Sequence, residues 1–186
     1  MEDLEIVKLY WEKSLDAISH TKLKYGSYCT KISLNILKND EDAEECVNDT
    51  YLKAWNSMPP QRPDSLKAFL GRITRNLSLS RYRSMTAIKR GGTETELILS
   101  EIGDIVSGRD TVEGEIERKE LMKQINSFLT LQDVEKRKLF VRRYWYMDSI
   151  EELSEKFNLR ESRISSILFK MRKELKQQLL KEGVEI

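Results

Sequence analysis

All three prolines of this chain, Pro59, Pro60 and Pro63, fall in one short run, so no other segment carries a residue that forbids a helix interior. With only 8 glycines besides, the chain lacks the punctuation that a sandwich or barrel of short strands needs. The expected fold is all-α. Hydrophobic residues make up 39% and charged residues 34% of 186 positions, a mixture suited to strongly amphipathic helices around small cores.

Apolar spacing divides the chain. Residues 4–37 have helical period with an expected break near Tyr25, Gly26 and Ser27. Asn39 and Asp40 read as a turn and helix start, followed by a helix over 41–57 with Ala43, Val47, Tyr51 and Ala54 on one stripe. The proline run then interrupts, and a further helix is expected over 65–84, carrying Leu66, Phe69, Leu70, Ile73, Leu77 and Tyr82. Between Met85 and Thr111 the character changes to glycine and acid, with Gly91, Gly92, Gly103 and Gly108. There the apolar patch Leu97, Ile98 and Leu99 could dock as a strand or turn. Residues 89–112 are expected to link two small helical domains, 1–88 and 113–186. In the second, helices are expected over 113–129 and 132–146.

The formal net charge is only +1, but it is a cancellation between patches. Residues 65–93 contain no acid and hold Lys67, Arg72, Arg75, Arg81, Arg83, Lys89 and Arg90. Acidic residues crowd both flanks, from Asp40 to Asp49 and from Glu94 to Asp110. An acid-free cationic helix is what a phosphate backbone attracts.

The most specific pattern lies near the C-terminus. Ser149 and Glu152 have capping-box spacing, so a helix should begin there and bury Ile150, Leu153 and Phe157. Ser154 is small enough for a close helix crossing. Asn158 tolerates the left-handed conformation of a tight turn, and Leu159 plugs that turn into the core. A second helix then buries Ile164, Leu168, Met171 and Leu175. Its outer face carries Glu161, Ser162, Arg163, Ser165, Ser166, Phe169 and Lys170, while Arg160 and Arg172 add cations for phosphates. This is the pattern of a DNA-reading helix-turn-helix. Arg160 is the discordant position, because an N-cap favours Ser, Thr, Asp or Asn.

These motifs, in this order, resemble the sigma factors of bacterial RNA polymerase in the sigma-70 family, of the short extracytoplasmic-function (ECF) type. The resemblance covers most of the chain: region 2, a linker where region 3 is missing, and region 4. It implies that the helix from Asp42 to Trp55 docks on core RNA polymerase through Glu45, Asn48, Asp49, Tyr51 and Trp55. It implies that the loop from Pro60 to Ser65, with Arg62 and Asp64, captures a base flipped from the opened minus-ten element. The basic helix that follows would hold the strand through Arg72, Arg75, Asn76, Arg81 and Arg83. The helix-turn-helix would read the minus-thirty-five element through Arg160, Glu161, Arg163, Ser165, Ser166, Phe169, Lys170 and Arg172. Promoter DNA and core polymerase are the implied partners, and an anti-sigma protein is a plausible third. Some positions depart from the family pattern: Glu45 and Asn48 stand where Asp and Gln are usual, Ser80 replaces an Asp, and Asn158 and Arg160 replace small residues. They weigh on promoter sequence more than on class.

The alternative is a helix-turn-helix regulator that resembles a sigma factor without directing initiation. It would need neither a polymerase-docking helix nor a strand-capturing loop. An enzyme is not expected: there is no glycine-rich phosphate loop, His20 is the lone histidine, and no carboxylates have metal-binding spacing. Cys29 and Cys46 read as reduced, semi-buried thiols, so no metal or cofactor is expected. No apolar run approaches the roughly 18 residues of a membrane span. The acidic start, Met1 to Asp3, is not a signal peptide, and the expected location is the cytoplasm.

Overall fold

The computed structural model describes residues 1–86, 97–99, 101 and 113–183, with the backbone alone for Thr86 and 113–119. The regular structure of the described residues is all helix, without strands, as an all-α fold requires. The chain divides into two units, Met1–Gly91 and Gly92–Ile186.

In the first unit α1 spans Asp3–Trp11, α2 Asp16–Leu37, α3 Asp40–Ser57 and α4 Leu66–Thr86. The expected break at Gly26 is absent, for Gly26 lies inside α2. The chain breaks earlier instead, where Lys13 adopts a left-handed φ of 53°. Its side chain offsets that strain: Lys13 Nζ donates to the carbonyls of Trp55 at 2.8 Å and Met58 at 2.9 Å, beyond the reach of the last α3 turn's own N–H groups. Asn39 caps α3 by accepting from the Asp42 amide at 2.9 Å. Asp40, Glu41 and Asp42 then sit at the positive end of the helix dipole.

The core is built from Ile6, Val7 and Tyr10 of α1 against Tyr25, Cys29, Val47, Ala54, Leu66, Leu70 and Ile73. Small polar residues let the three longer helices approach closely. Ser33 meets Ser78 at 2.8 Å and Thr50 meets Thr74 at 3.1 Å, all of them buried. Each of Thr50, Thr74 and Ser78 also bonds a carbonyl one turn back in its own helix, at 2.8–2.9 Å, so no hydroxyl of this ladder is left unsatisfied. Gly71 serves the same approach: a Cβ there would overlap the hydroxyl end of Tyr28.

In the second unit α5 spans Glu113–Leu131, α6 Val134–Tyr144, α7 Ile150–Phe157 and α8 Glu161–Lys181. Leu153, Ile164, Leu168, Met171 and Leu175 are buried, as their spacing predicts, whereas Ile150 and Phe157 are half-buried. A charge lies among them. Arg143 is 0% exposed, its guanidinium held by Glu101 Oε1 at 3.0 Å, Glu101 Oε2 at 3.2 Å and the Asp148 carbonyl at 3.1 Å. A buried cation survives only when its donors are taken up in this way.

Of the stretch 89–112 expected as a linker, the structure describes 97–99 and 101, and the rest lies outside the described residues. The described part is helical rather than a strand or turn, with Ile98 buried and Glu101 in the ionic core of the second unit. Its hydrophobic patch was legible, but its anchor is the single carboxylate two residues beyond that patch.

Candidate functional site

Four surfaces carry the residues singled out above. On α3, Glu45, Asn48 and Asp49 are exposed. Leu52, 58% exposed, lies one turn further along and completes the stripe. No sequence pattern marks it, since an isolated leucine in a helix reads as core. Tyr51 departs from the expectation. It is 5% exposed, packed in the core, and burial pushes its phenol up to about 12. Its spacing from Val47 and Ala54 puts it on the buried stripe, which excludes it as a surface contact. Tyr51 lines the bottom of a groove of about 670 Å³ between α2 and α3, and its hydroxyl, among the described residues, is buried without a hydrogen-bond partner. Lys22 and Lys31 line this groove with Asp40, Glu44 and Asn48. Trp55 is half-buried, edge-on to Tyr10 at 6.3 Å and beneath the Lys13 ammonium at 5.0 Å.

On α4 the exposed stripe is Arg72, Asn76, Ser80 and Arg83, with Arg75 half-buried at its margin. Burial pushes the Arg75 guanidinium down to about 10, and the neighbouring Arg83 charge adds to the effect. It remains protonated at neutral pH, so the margin of the stripe carries its positive charge as well as that of Arg83. Arg81 is the exception. It lies half a turn out of phase with Arg72, and its guanidinium pairs with Asp42 and, at 2.7 Å, with Glu45. Arg81 therefore ties α4 to α3, and its charge is already matched by two carboxylates.

The proline loop joins these two helices. Arg62 and Asp64 are exposed on it, and Ser65 ends it by accepting from the Ala68 amide at 3.2 Å, which caps α4. Trp11 and Lys13, which no sequence pattern marked, hold the loop's other side. Trp11 Nε1 donates to the Gln61 carbonyl at 3.3 Å, and the Arg62 guanidinium lies 5.7 Å from the Trp11 ring centroid.

The helix-turn-helix forms as its spacing predicts. Ser149 Oγ accepts from the Glu152 amide at 3.0 Å while Glu152 Oε2 accepts from the Ser149 amide at 2.8 Å. Asn158 takes the left-handed conformation at φ 51°, and Ser154 Oγ donates to the Leu159 carbonyl at 2.7 Å. Arg160, Glu161, Ser162, Arg163, Ser165, Ser166, Phe169 and Lys170 are all exposed, Phe169 at 59%. Arg160 occupies the N-cap of α8 with no side-chain cap bond, so that helix end presents uncapped amides beside cations. Arg172 departs from expectation: half-buried, it donates to Glu101 at 3.3 Å and to the Tyr144 hydroxyl. It serves the ionic core rather than the outer face, a role set by a carboxylate 71 residues away in sequence.

Residues 24–87 match the family model of sigma-70 region 2. That span contains α3, the proline loop and α4, the elements that carry the acidic and cationic stripes. That segment is similar to region 2 of the sigma-70 family, whose members are DNA-binding transcription-initiation factors. No curated protein matches the chain. Among solved structures it is similar to CnrH in complex with the cytosolic domain of CnrY, at 18% identity over 95% of this chain and 96% of that one, with a TM-score of 0.44. Among the described residues no helix is long and apolar enough to cross a membrane.

Proposed function

We propose that this chain is a sigma factor of the short ECF type that brings core RNA polymerase to a promoter and helps open it. The observation that carries the reading is the pair of unlike stripes on neighbouring helices within the sigma-70 region 2 match: acidic and polar on α3, acid-free and cationic on α4.

The α3 stripe of Glu45, Asn48, Asp49 and Leu52, with part of Trp55, is the polymerase-docking surface. Exposed carboxylates around one apolar side chain suit a basic partner with a hydrophobic anchor. The α4 stripe of Arg72, Arg75, Asn76 and Arg83 follows the backbone of the opened minus-ten strand, and the loop with Arg62 and Asp64 receives its flipped base. Unstacking that base costs a few kcal/mol, which loop contacts must offset. The α7–α8 helix-turn-helix is region 4 and reads the minus-thirty-five element through Glu161, Arg163, Ser165, Ser166, Phe169 and Lys170. Arg160 and the uncapped start of α8 receive a phosphate. The two units then act as domains joined through 89–112. Work in the cytoplasm, without a cofactor, follows from the same reading, and an anti-sigma protein would regulate the chain by covering the α3 surface.

The test is association with core RNA polymerase. Gel filtration of the full chain with core enzyme should give a stoichiometric complex. Elution of the chain by itself at micromolar concentrations would leave the alternative, a DNA-binding regulator that does not direct initiation.

A further inference from the structure

The loop between α3 and α4 is walled by a helix that lies outside the region 2 match. Trp11 ends α1, is 42% exposed, and hydrogen-bonds the loop through Gln61. Its open face leaves the indole accessible to a ligand while its Nε1 stays hydrogen-bonded to the chain. Arg62 lies across the ring at 5.7 Å, and Lys13, two residues on, is fixed by the carbonyls of Trp55 and Met58. Those two bonds and the Trp11–Gln61 bond hold the end of α1 against the end of α3 and the loop. The result is an exposed aromatic face with a guanidinium beside it, on the loop that leads into the acid-free helix.

We propose that Trp11 is a stacking platform for an unpaired base of single-stranded DNA, with Arg62 placed for the adjoining phosphate. The inference rests on the strand-binding role proposed for the loop and α4, and adds to it a contact from α1. An indole offers a wide π-face to a purine or pyrimidine, and such stacking is tolerant of sequence. Arg62 moves from the ring to the phosphate when the base arrives, because a charge-assisted bond to an anion is stronger than its contact with the ring. The loop is thereby assigned two jobs: one side for the captured base, the other, with Trp11, for a neighbouring base that leaves the duplex with it.

The test measures binding of a fluorescein-labelled, mixed-sequence 20-nucleotide single strand to the complex of the full chain with core polymerase, by anisotropy, with core polymerase by itself as baseline. Trp11→Phe and Trp11→Leu both lose the bond to Gln61, so the difference between them isolates stacking. The leucine variant should bind about tenfold more weakly than the phenylalanine variant, within the range for loss of one base–aromatic stack. Arg72→Ala with Arg83→Ala reads the underlying strand-binding role. If that pair weakens binding while the phenylalanine and leucine variants bind alike, the Trp11 inference is wrong and the strand-binding role stands. If the pair has no effect, or the unaltered complex binds no better than core polymerase, the strand-binding role fails and the inference falls with it. Thermal melting of the leucine variant identifies loss of fold. In that event photocrosslinking of the unaltered complex to the same strand carrying 5-iodouracil decides, and absence of a Trp11 crosslink among α4 crosslinks overturns the inference.

Discussion

Gly26 and Gly71 both lie in the middle of long helices, and alanine should move stability in opposite directions at the two sites. At Gly26 a Cβ would meet the Tyr51 hydroxyl at 3.5 Å and Lys22 Cγ at 3.9 Å, both ordinary contacts. Only the propensity gain remains, about 1 kcal/mol for alanine over glycine in a helix interior. At Gly71 the same gain is opposed by overlap with the Tyr28 hydroxyl and ring, which pack across the α2–α4 crossing. Moving Tyr28 also disturbs the Lys67 ammonium that sits 5.1 Å from its ring centroid. Overpacking of this kind costs about 1–3 kcal/mol, so Gly71→Ala should be destabilised by about 1 kcal/mol net. The two variants should differ by about 2 kcal/mol, which for a unit of this size is roughly 8–16 °C in Tm. Urea unfolding should be followed by tryptophan fluorescence in a Trp145→Phe background, since Trp11 and Trp55 then report on the first unit without the second. Destabilisation by Gly26→Ala would mean that α2 does break near residue 26. Stabilisation by Gly71→Ala would mean that the α2–α4 crossing is looser than described.

Other outcomes follow from the charges. Asn48→Lys with Asp49→Lys should weaken the complex with core polymerase at least about tenfold while leaving the melting curve unchanged; unchanged affinity would place docking on another face. Arg163→Ala with Lys170→Ala should weaken binding to promoter duplex and reduce the slope of log affinity against log salt by about 1–2, and an unaltered slope would remove these residues from the interface. Arg81→Ala should cost about 0.5–1 kcal/mol of stability, as loss of a partly exposed ion pair does, yet change single-strand affinity less than Arg72→Ala; the reverse order would return Arg81 to the strand. Raising pH should also destabilise the first unit. Burial lifts Tyr51 to about 12 and raises Tyr10 as well, whereas unfolded tyrosines titrate near 10. The folded state therefore binds more protons above pH 10. Stability is fully present below that value and falls as pH rises towards 12, by a few kcal/mol at most, and urea midpoints flat between pH 9 and 11.5 would contradict it.

Helical period and end signals made the architecture readable. The capping box at Ser149 and Glu152, the left-handed Asn158 and the buried face of α8 all stand where local rules put them. Other features depend on distant partners, which periodicity cannot show. Gly26 read as a break because glycine is a poor helix former, yet packing of α2 against α3 and α4 carries the helix through it, and the break falls at Lys13, whose strain is offset by carbonyls more than 40 residues away. Arg81 and Arg172 looked like their cationic neighbours. Phase on the helix and the reach of Asp42, Glu45 and Glu101 commit both to internal pairs. Tyr51 was ambiguous between core and contact because an aromatic on a helix stripe serves either. Leu52 and Trp11 present the opposite case, apolar residues that helical spacing alone gives no cause to place on the surface.

The central claim is that this chain directs initiation, and transcription in vitro tests it most directly. Purified core RNA polymerase should be supplied with fragmented genomic DNA of the source organism, with and without the full chain, and RNA 5′ ends mapped. Discrete start sites that require the chain, share spaced elements upstream, and vanish with Asn48→Lys and Asp49→Lys are the expected result. Start sites that are the same with and without the chain, despite its binding to duplex DNA, would contradict it.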